Sequence, residues 1–391
     1  MVKLFKAQPL TKEYLEAINC HWHTDADSTP YISDELVEVS QGEADAYYEA
    51  VNELYDMYTN AAEYVIENNL FHEIGIPFNL VDVIKSSWEN DVHWHLYGRF
   101  DLAGGIDGKP IKLIEFNADT PTSLYESSII QWAILKKNGL NEAKQFNNIY
   151  DALKENFRRL VVLHGDTAEF SRYYEGWKIL FSSVAGSVED EITTKFLQSA
   201  AEESGFHTDF AYVDDVNFSE EEGVFKGEDN FEFWFKLIPW ENIAIQEPNL
   251  ALILKDIVLN QRAIILNPAY TLLFQSKAMM KILWDLYPNH PLLLETSFEP
   301  LGVKHVKKHS FGREGANTTI FEGDGRVVEQ TDGEYENFTP IYQEYVAFPK
   351  DAKGECYQAG VFFAYEGCGL GFRRGGEILG NYAKFVGHII K

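Results

Sequence analysis

Arg99 and Asp101 in YGRFDLAGG, and Glu115 and Asn117 in KLIEFNADT, are polar side chains spaced two apart on neighbouring runs. An Asp107-Gly108 turn signal separates the runs 95–102 and 110–117, and the pattern predicts an antiparallel hairpin. Alternation along a strand puts Arg99 with Asp101, and Ile111, Leu113, Glu115 and Asn117 together on one face of the second run. A half-buried face carrying that set is costly unless the groups serve something charged. Oxygen donors in that number suit Mg²⁺, and a nearby arginine suits the phosphates that Mg²⁺ accompanies. The alternative is a surface hairpin with a solvated ion pair.

A second polar set lies late in the chain. Lys277 opens a helix, where the dipole disfavours a cation unless an anion sits between them. Lys308 ends a strand just before HSFGREGAN (309–317), whose glycines let the backbone turn tightly and offer N–H groups to an anion, or simply form a β-turn. The run 340–346, PIYQEYV, predicts a strand leaving toward a linker that could read an adenine edge, or an ordinary amphipathic strand. GLGFRRGG (369–376) predicts a mobile loop with two arginines.

These groups need elements to hold them. Ser40-Gln-Gly-Glu43 is a capping box, and Tyr47, Val51, Leu54, Tyr58, Ala61 and Val65 follow at helical spacing, predicting a long amphipathic helix. Helices are predicted over 123–138, stopped at Gly139, and over 142–160. Strands at 177–183, 207–213 and 231–238, with a helix at 188–204, suggest a small α/β lobe over roughly 165–268. Its acidic stretch 219–230 reads as a solvated loop. A helix at 276–286 leads to antiparallel β signals at 303–309, 317–321, 326–330, 340–348 and 357–365.

Net charge is −28, from 33 basic and 61 acidic side chains, which argues against a nucleic-acid partner because that backbone demands clustered Lys and Arg. The same balance suits a cationic small molecule. At 45% hydrophobic and 14% aromatic content, 391 residues can build joined lobes with ample core. The first residues carry no apolar leader, no stretch is long enough to predict a membrane span, and Cys20, Cys356 and Cys368 show no ligand spacing; a cytoplasmic protein is expected, of undefined oligomeric state. Cys20-His-Trp-His23 and His93-Trp-His95 could be drawn as a zinc site, but histidines two apart within one helix point apart, and their aromatic neighbours indicate packing.

Taken together, RFD, IEFNAD and the Ser/Thr cluster after it resemble the synthetase domain of the glutathionylspermidine synthase family. The later order is similar too. It runs through SKAMMKILWDLYPNHPLLL (276–294), Lys308 before a Gly-Arg-x-Gly-x-Asn loop, IYQEYVAFP (341–349), and an arginine after a Gly-rich turn. The resemblance runs from about residue 20 to the C-terminus. It implies a mixed α+β, α/β architecture: an ATP-grasp fold, circularly permuted as in glutathione synthetase, with an inserted small α/β lobe. The implied division is 1–164 with the metal hairpin, 165–268 as substrate lobe, and 269–391 with the nucleotide lysines and the lid loop. The amidase domain of the bifunctional members is expected to be absent.

Residue by residue, the resemblance implies that Arg99 contacts the transferring phosphoryl group, and that Asp101, Glu115 and Asn117 hold two Mg²⁺ ions. Lys277 and Lys308 would grip the ATP phosphates, Gln343, Glu344, Tyr345 and Val346 line the adenine, and Arg373 close over phosphate or substrate, with the 312–317 loop as lid. Substrate contacts would come from Asp119, Thr120, Thr122 and Ser123, and from Glu189, Asp190 and Glu191, the last three also readable as a helix's dipole-complementing first turn. Leu237 stands where the family has a Thr that touches glutathione, which implies a different acid. The implied activity is ATP-dependent ligation of a peptide-like acid to an amine, possibly a polyamine, through an acyl phosphate. The competing expectation is a scaffold protein that binds ATP without turnover.

Overall fold

The computed structural model describes residues 1–163 and 177–391, with side chains to residue 160 in the first span. The division expected at 164/165 lies outside them. The predicted hairpin forms: Gly98–Ala103 pairs antiparallel with Lys112–Asn117, placing Arg99 opposite Asn117 and Asp101 opposite Glu115. It is no surface ribbon. Cys356–Ala364 pairs with the other edge of Gly98–Ala103, and Glu366–Gly375 and Lys384–Val386 complete a five-stranded antiparallel sheet.

A bulge between Asp101 and Leu102 corrects the expected alternation. The extra residue, Ile114, lies beside Glu115 in the wall of a cleft, while Leu113 turns to the opposite face and is buried in the core. On that core face Phe100 and Phe116 stack with centroids 3.8 Å apart, edge-on to Tyr58 of the long helix Gln41–Glu67. That helix carries the predicted capping box, Ser40 Oγ accepting from Glu43 N–H while Glu43 accepts from Ser40 N–H.

The expected mobile loop at 369–376 is instead strand, and its glycines explain both the error and the packing. A Cβ at Gly367 would meet Val51 at 2.8 Å, one at Gly369 would collide with Ile149, and one at Gly371 would meet Ser127 Oγ at 2.7 Å. Because the strand bulges at Cys368, Gly367 faces the long helix together with Leu370 and Phe372, while Gly369 and Gly371 open the opposite face to Ile149 and Ser127. The helix expected from 142 begins only at Ile149, because 146–148 is tied to that strand: Leu370 N–H donates to Phe146 O and Asn148 N–H to Cys368 O.

The α/β lobe has a four-stranded parallel sheet in the order Ile264–Leu266, Phe233–Lys236, Lys178–Ser183, His207–Tyr212. Its acidic stretch is a three-strand meander and not a loop, because Val224 and Phe231 bury themselves between the charges. Another five-stranded antiparallel sheet, Thr296–Ser297, Pro340–Glu344, His305–His309, Thr319–Phe321 and Val327–Gln330, roofs the hairpin. A three-stranded sheet joins Leu4–Lys6, Glu35–Val39 and His388–Ile390. Among the described residues no helix is long and apolar enough to cross a membrane, and Cys20, Cys356 and Cys368 are buried and unlinked.

Candidate active site

Between the hairpin and the roof sheet lies an open cleft of about 860 Å³. Its walls bring together Asp101, Glu115, Lys277, Lys308, Gln343, Glu344, Tyr345, Val346 and Arg373, which lie far apart in sequence. At its deep end Arg99 is almost fully buried and holds Asp101 in a two-pronged pair, Nε to Oδ1 at 2.6 Å and Nη2 to Oδ2 at 2.9 Å. Its remaining arm donates to Thr122 O at 2.6 Å. Lys277 Nζ lies 2.8 Å from Glu115 Oε2 and donates to Gly312 O at 2.6 Å, so it ties the glycine loop to the hairpin. The anion expected to justify Lys277 near a helix start is, in the protein itself, Glu115. Lys308 Nζ donates to Gln343 Oε1 at 2.8 Å.

The charges disturb one another. Burial pushes the Glu115 carboxyl up, but Lys277 and Lys308 outweigh it and hold the group down to about 2. Burial lowers the Lys308 ammonium to about 8, opposed by Glu115 and reinforced by Lys277. Two cations are therefore held where added negative charge would be welcome.

Asn117 Nδ2 lies 3.2 Å from Asp101 Oδ2 and 3.3 Å from Glu115 Oε1. Rotating that amide by half a turn would aim three oxygens at one point, a donor set that fits a hard divalent cation. Among the described residues no three His, Cys, Asp or Glu side chains group as a metal site. His95 instead stacks on Tyr55 and sits against Phe116.

Arg373 lies on a strand, opposite Gln358, and lines both the cleft and a neighbouring acidic chamber. The chamber is walled by Trp22, Asp25, Tyr31, Thr122, Ser123, Glu189, Asp190 and Glu314, among others. Glu189 and Asp190 sit in the first turn of Val188–Glu203, capped by Ser187, at the end of a parallel strand where open α/β sheets bind ligands. Burial, then Glu126 and Asp190, drive the Glu189 carboxyl up to about 8. Glu191 separates from its neighbours: it turns outward to Lys195 and accepts from Tyr212 Oη at 2.8 Å.

Two further expected substrate contacts lie away from both cavities. Asp119 is fully buried, 2.9 Å from Lys236 Nζ and accepting Trp240 N–H at 2.8 Å, so it ties the hairpin's exit to the small lobe. Thr120 Oγ1 is 3.4 Å from Arg313, which pairs with Glu241 at 2.5 Å. Trp22, Tyr31, Glu126, Gln358 and Glu377 were not anticipated. Trp22 and Tyr31 lie in irregular chain with no periodic signal, and Glu126 reads as a helix-start acid.

The sequence signature of the glutathionylspermidine synthase preATP-grasp family matches residues 2–391. A Haemophilus influenzae protein named Putative acid–amine ligase is 30% identical over 379 residues, covering 93% of this chain and 92% of its own length. The bifunctional glutathionylspermidine synthetase/amidase of Escherichia coli is 26% identical over 77% of this chain, and the chain spans 50% of its length. Trypanothione synthetase of Crithidia fasciculata is 25% identical over 76% of this chain and 47% of its own. In fold, a glutathione synthetase-like effector from Globodera pallida superposes with a TM-score of 0.57 at 9% identity, covering 94% of this chain and 92% of that one. The chain belongs to the glutathionylspermidine synthase family, and with it to the ATP-dependent ligases that form C–N bonds.

Proposed function

We propose that this chain joins a peptide-like carboxylic acid to a cationic amine, at the expense of ATP, on a circularly permuted ATP-grasp scaffold divided near residues 164 and 268. The single observation that carries this reading is Arg373, shared between a cation-lined cleft and an acid-lined chamber. Its neighbour across the strands, Gln358, and Arg99 and Asp101 floor the passage between them.

In this reading Gln343 to Val346 hold the adenine, and Lys277 and Lys308 take the phosphates. A carboxylate attacking the terminal phosphorus brings two anions together, and Arg99, Lys308 and Arg373 lower the cost of that approach. The acid's oxygen bonds to phosphorus as ADP departs, leaving an acyl phosphate. The amine's uncharged nitrogen then attacks the acyl carbon, phosphate leaves, and the nitrogen gives up a proton to solvent, giving the amide. Asp101, Glu115 and Asn117 would hold Mg²⁺, two ions in our reading, which when bound neutralises phosphate charge. Ser123, on the passage, and Thr122, in the chamber wall, are the residues we assign to orienting the acid, while Glu189 and Asp190 favour a positively charged amine. Leu237 in place of a hydroxyl supports an acid other than glutathione.

The test is ADP release from the full chain with Mg²⁺-ATP across pairs of small peptides and polyamines. Release that requires both partners supports the ligase. ATP binding without such release in any pair favours a nucleotide-binding scaffold.

A further inference from the structure

We propose that Glu126 is the positioning residue of the amine subsite, shaping its aromatic walls and supplying its deepest negative charge. This rests on reading the acidic chamber as the place where the cationic amine docks. Glu126 is fully buried and begins a π-helical turn, Glu126–Ile130, that leads into the helix Gln131–Lys137. Such turns gather at functional sites because an extra residue displaces a side chain from the regular helix face. Its Oε1 accepts from the Trp22 indole N–H at 2.8 Å and from the Tyr31 hydroxyl at 3.0 Å. Those rings are two walls of the chamber. Its Oε2 is buried with no hydrogen-bond partner, an expensive condition for a carboxylate that a neighbouring cation would relieve.

The surroundings are mostly acidic. Glu189 and Asp190 face the chamber from the Val188–Glu203 helix, Glu314 from the glycine loop, and Asp25, paired with Lys384, from the N-terminal segment. Tyr31 and Cys20 lie against Glu126 and are held neutral by burial and by its charge. Arg373 above and Arg99 below offset part of it. Aromatic faces beside carboxylates are the chemistry that receives an ammonium group. A diamine entering the chamber would displace a proton from the Glu189–Glu126 set into solvent.

The experiment is a calorimetric titration of the full chain with 1,4-diaminobutane and with 4-amino-1-butanol, its analogue of equal length and one charge fewer. Repeating it in buffers of different ionisation enthalpy counts the protons released. Glu126→Gln keeps an oxygen for Trp22 and Tyr31 and removes only the charge. Wild type should favour the diamine by about tenfold and release a proton near pH 7, and Glu126→Gln should erase most of both. ATP affinity should not move. Should Glu126→Gln fail to fold, Tyr31→Phe should weaken the diamine about threefold, an effect the size of one lost hydrogen bond. A wild-type preference for the diamine that survives Glu126→Gln, or a diamine affinity that Tyr31→Phe leaves unchanged, overturns the role of Glu126 and leaves the ligase reading standing. A wild type that ignores the second charge and releases no ADP with any amine overturns the ligase reading itself.

Discussion

The cleft and the chamber are both crowded with buried charge, yet they are balanced in opposite ways. At the cleft's deep end Arg99, Lys277, Lys308 and Arg373 meet Asp101 and Glu115, and each of these two carboxylates has a cation within direct reach. In the chamber Glu189 and Asp190 have no ion-pair partner among the described residues, and Arg373 is shared with the cleft. Internal pairing holds the Glu115 carboxyl down and keeps the cleft preorganised, so that in our reading phosphates and metal would exchange with partners already in place. In the chamber burial and neighbouring acids instead drive the Glu189 carboxyl up to about 8, and in our reading a cation from outside would take the place of its proton. A ligase that must bring an anion to an anion, and then an amine to the product, needs both conditions side by side.

The comparison breaks first at Glu115. Glu115→Ala should cut ADP formation by about 10³-fold, the scale of losing one preorganised electrostatic partner, with circular dichroism showing the fold retained. Turnover near wild type with Mg²⁺ would remove this strand from the chemistry. Next come the cations. Lys277→Ala and Lys308→Ala should each weaken ATP by about ten- to a hundredfold in calorimetry and leave the amine's apparent KM alone. The chamber should answer the other way: Glu189→Gln and Asp190→Asn should raise the amine KM about tenfold without touching ATP affinity. Glu191→Gln should change neither, because its carboxylate faces Lys195 and Tyr212; an effect as large as that at Glu189 would restore a three-acid cluster.

The smallest expected effect is in stability against pH. The folded Glu189 carboxyl sits near 8, above its ordinary value of 4.5, so the folded chain binds a proton that the unfolded chain releases. That contribution is complete below about pH 4.5 and is lost as pH rises through 8. Thermal melts of the amine-free protein should fall by a few degrees across this window, and Glu189→Gln should flatten the slope. A slope unchanged by Glu189→Gln would mean that the chamber is already ionised.

Much of the cleft was legible from sequence because strand periodicity is local: Arg99, Asp101, Glu115 and Asn117 alternate as written, and two runs with an Asp-Gly turn can hardly do anything but pair. The bulge was not legible, since it depends on how Ile114 meets the roof sheet. The Glu366–Gly375 strand was hidden by glycines whose purpose appears only when Val51 is in place on one face and Ile149 and Ser127 on the other. Asp119 was grouped with the substrate contacts on its neighbours' company, and only the fold reveals Lys236 as its partner. The chamber is least legible: Trp22, Tyr31 and Glu126 come from irregular chain and a π turn, and nothing local announces that they meet.

The central sheet is assembled from both ends of the chain, with Arg99 opposite Phe362 and Gly360 opposite Asp101. During synthesis, therefore, the Gly98–Ala103 strand emerges long before its partner, and the buried Arg99–Asp101 pair has half a shelter until Cys356–Ala364 leaves the ribosome. Non-local strand pairing of this kind is slow and leaves an open sheet edge exposed while it waits. The nascent chain is thus inert toward nucleotide and aggregation-prone over the same interval. Truncation within the last strands should yield insoluble protein before it yields a soluble protein without activity.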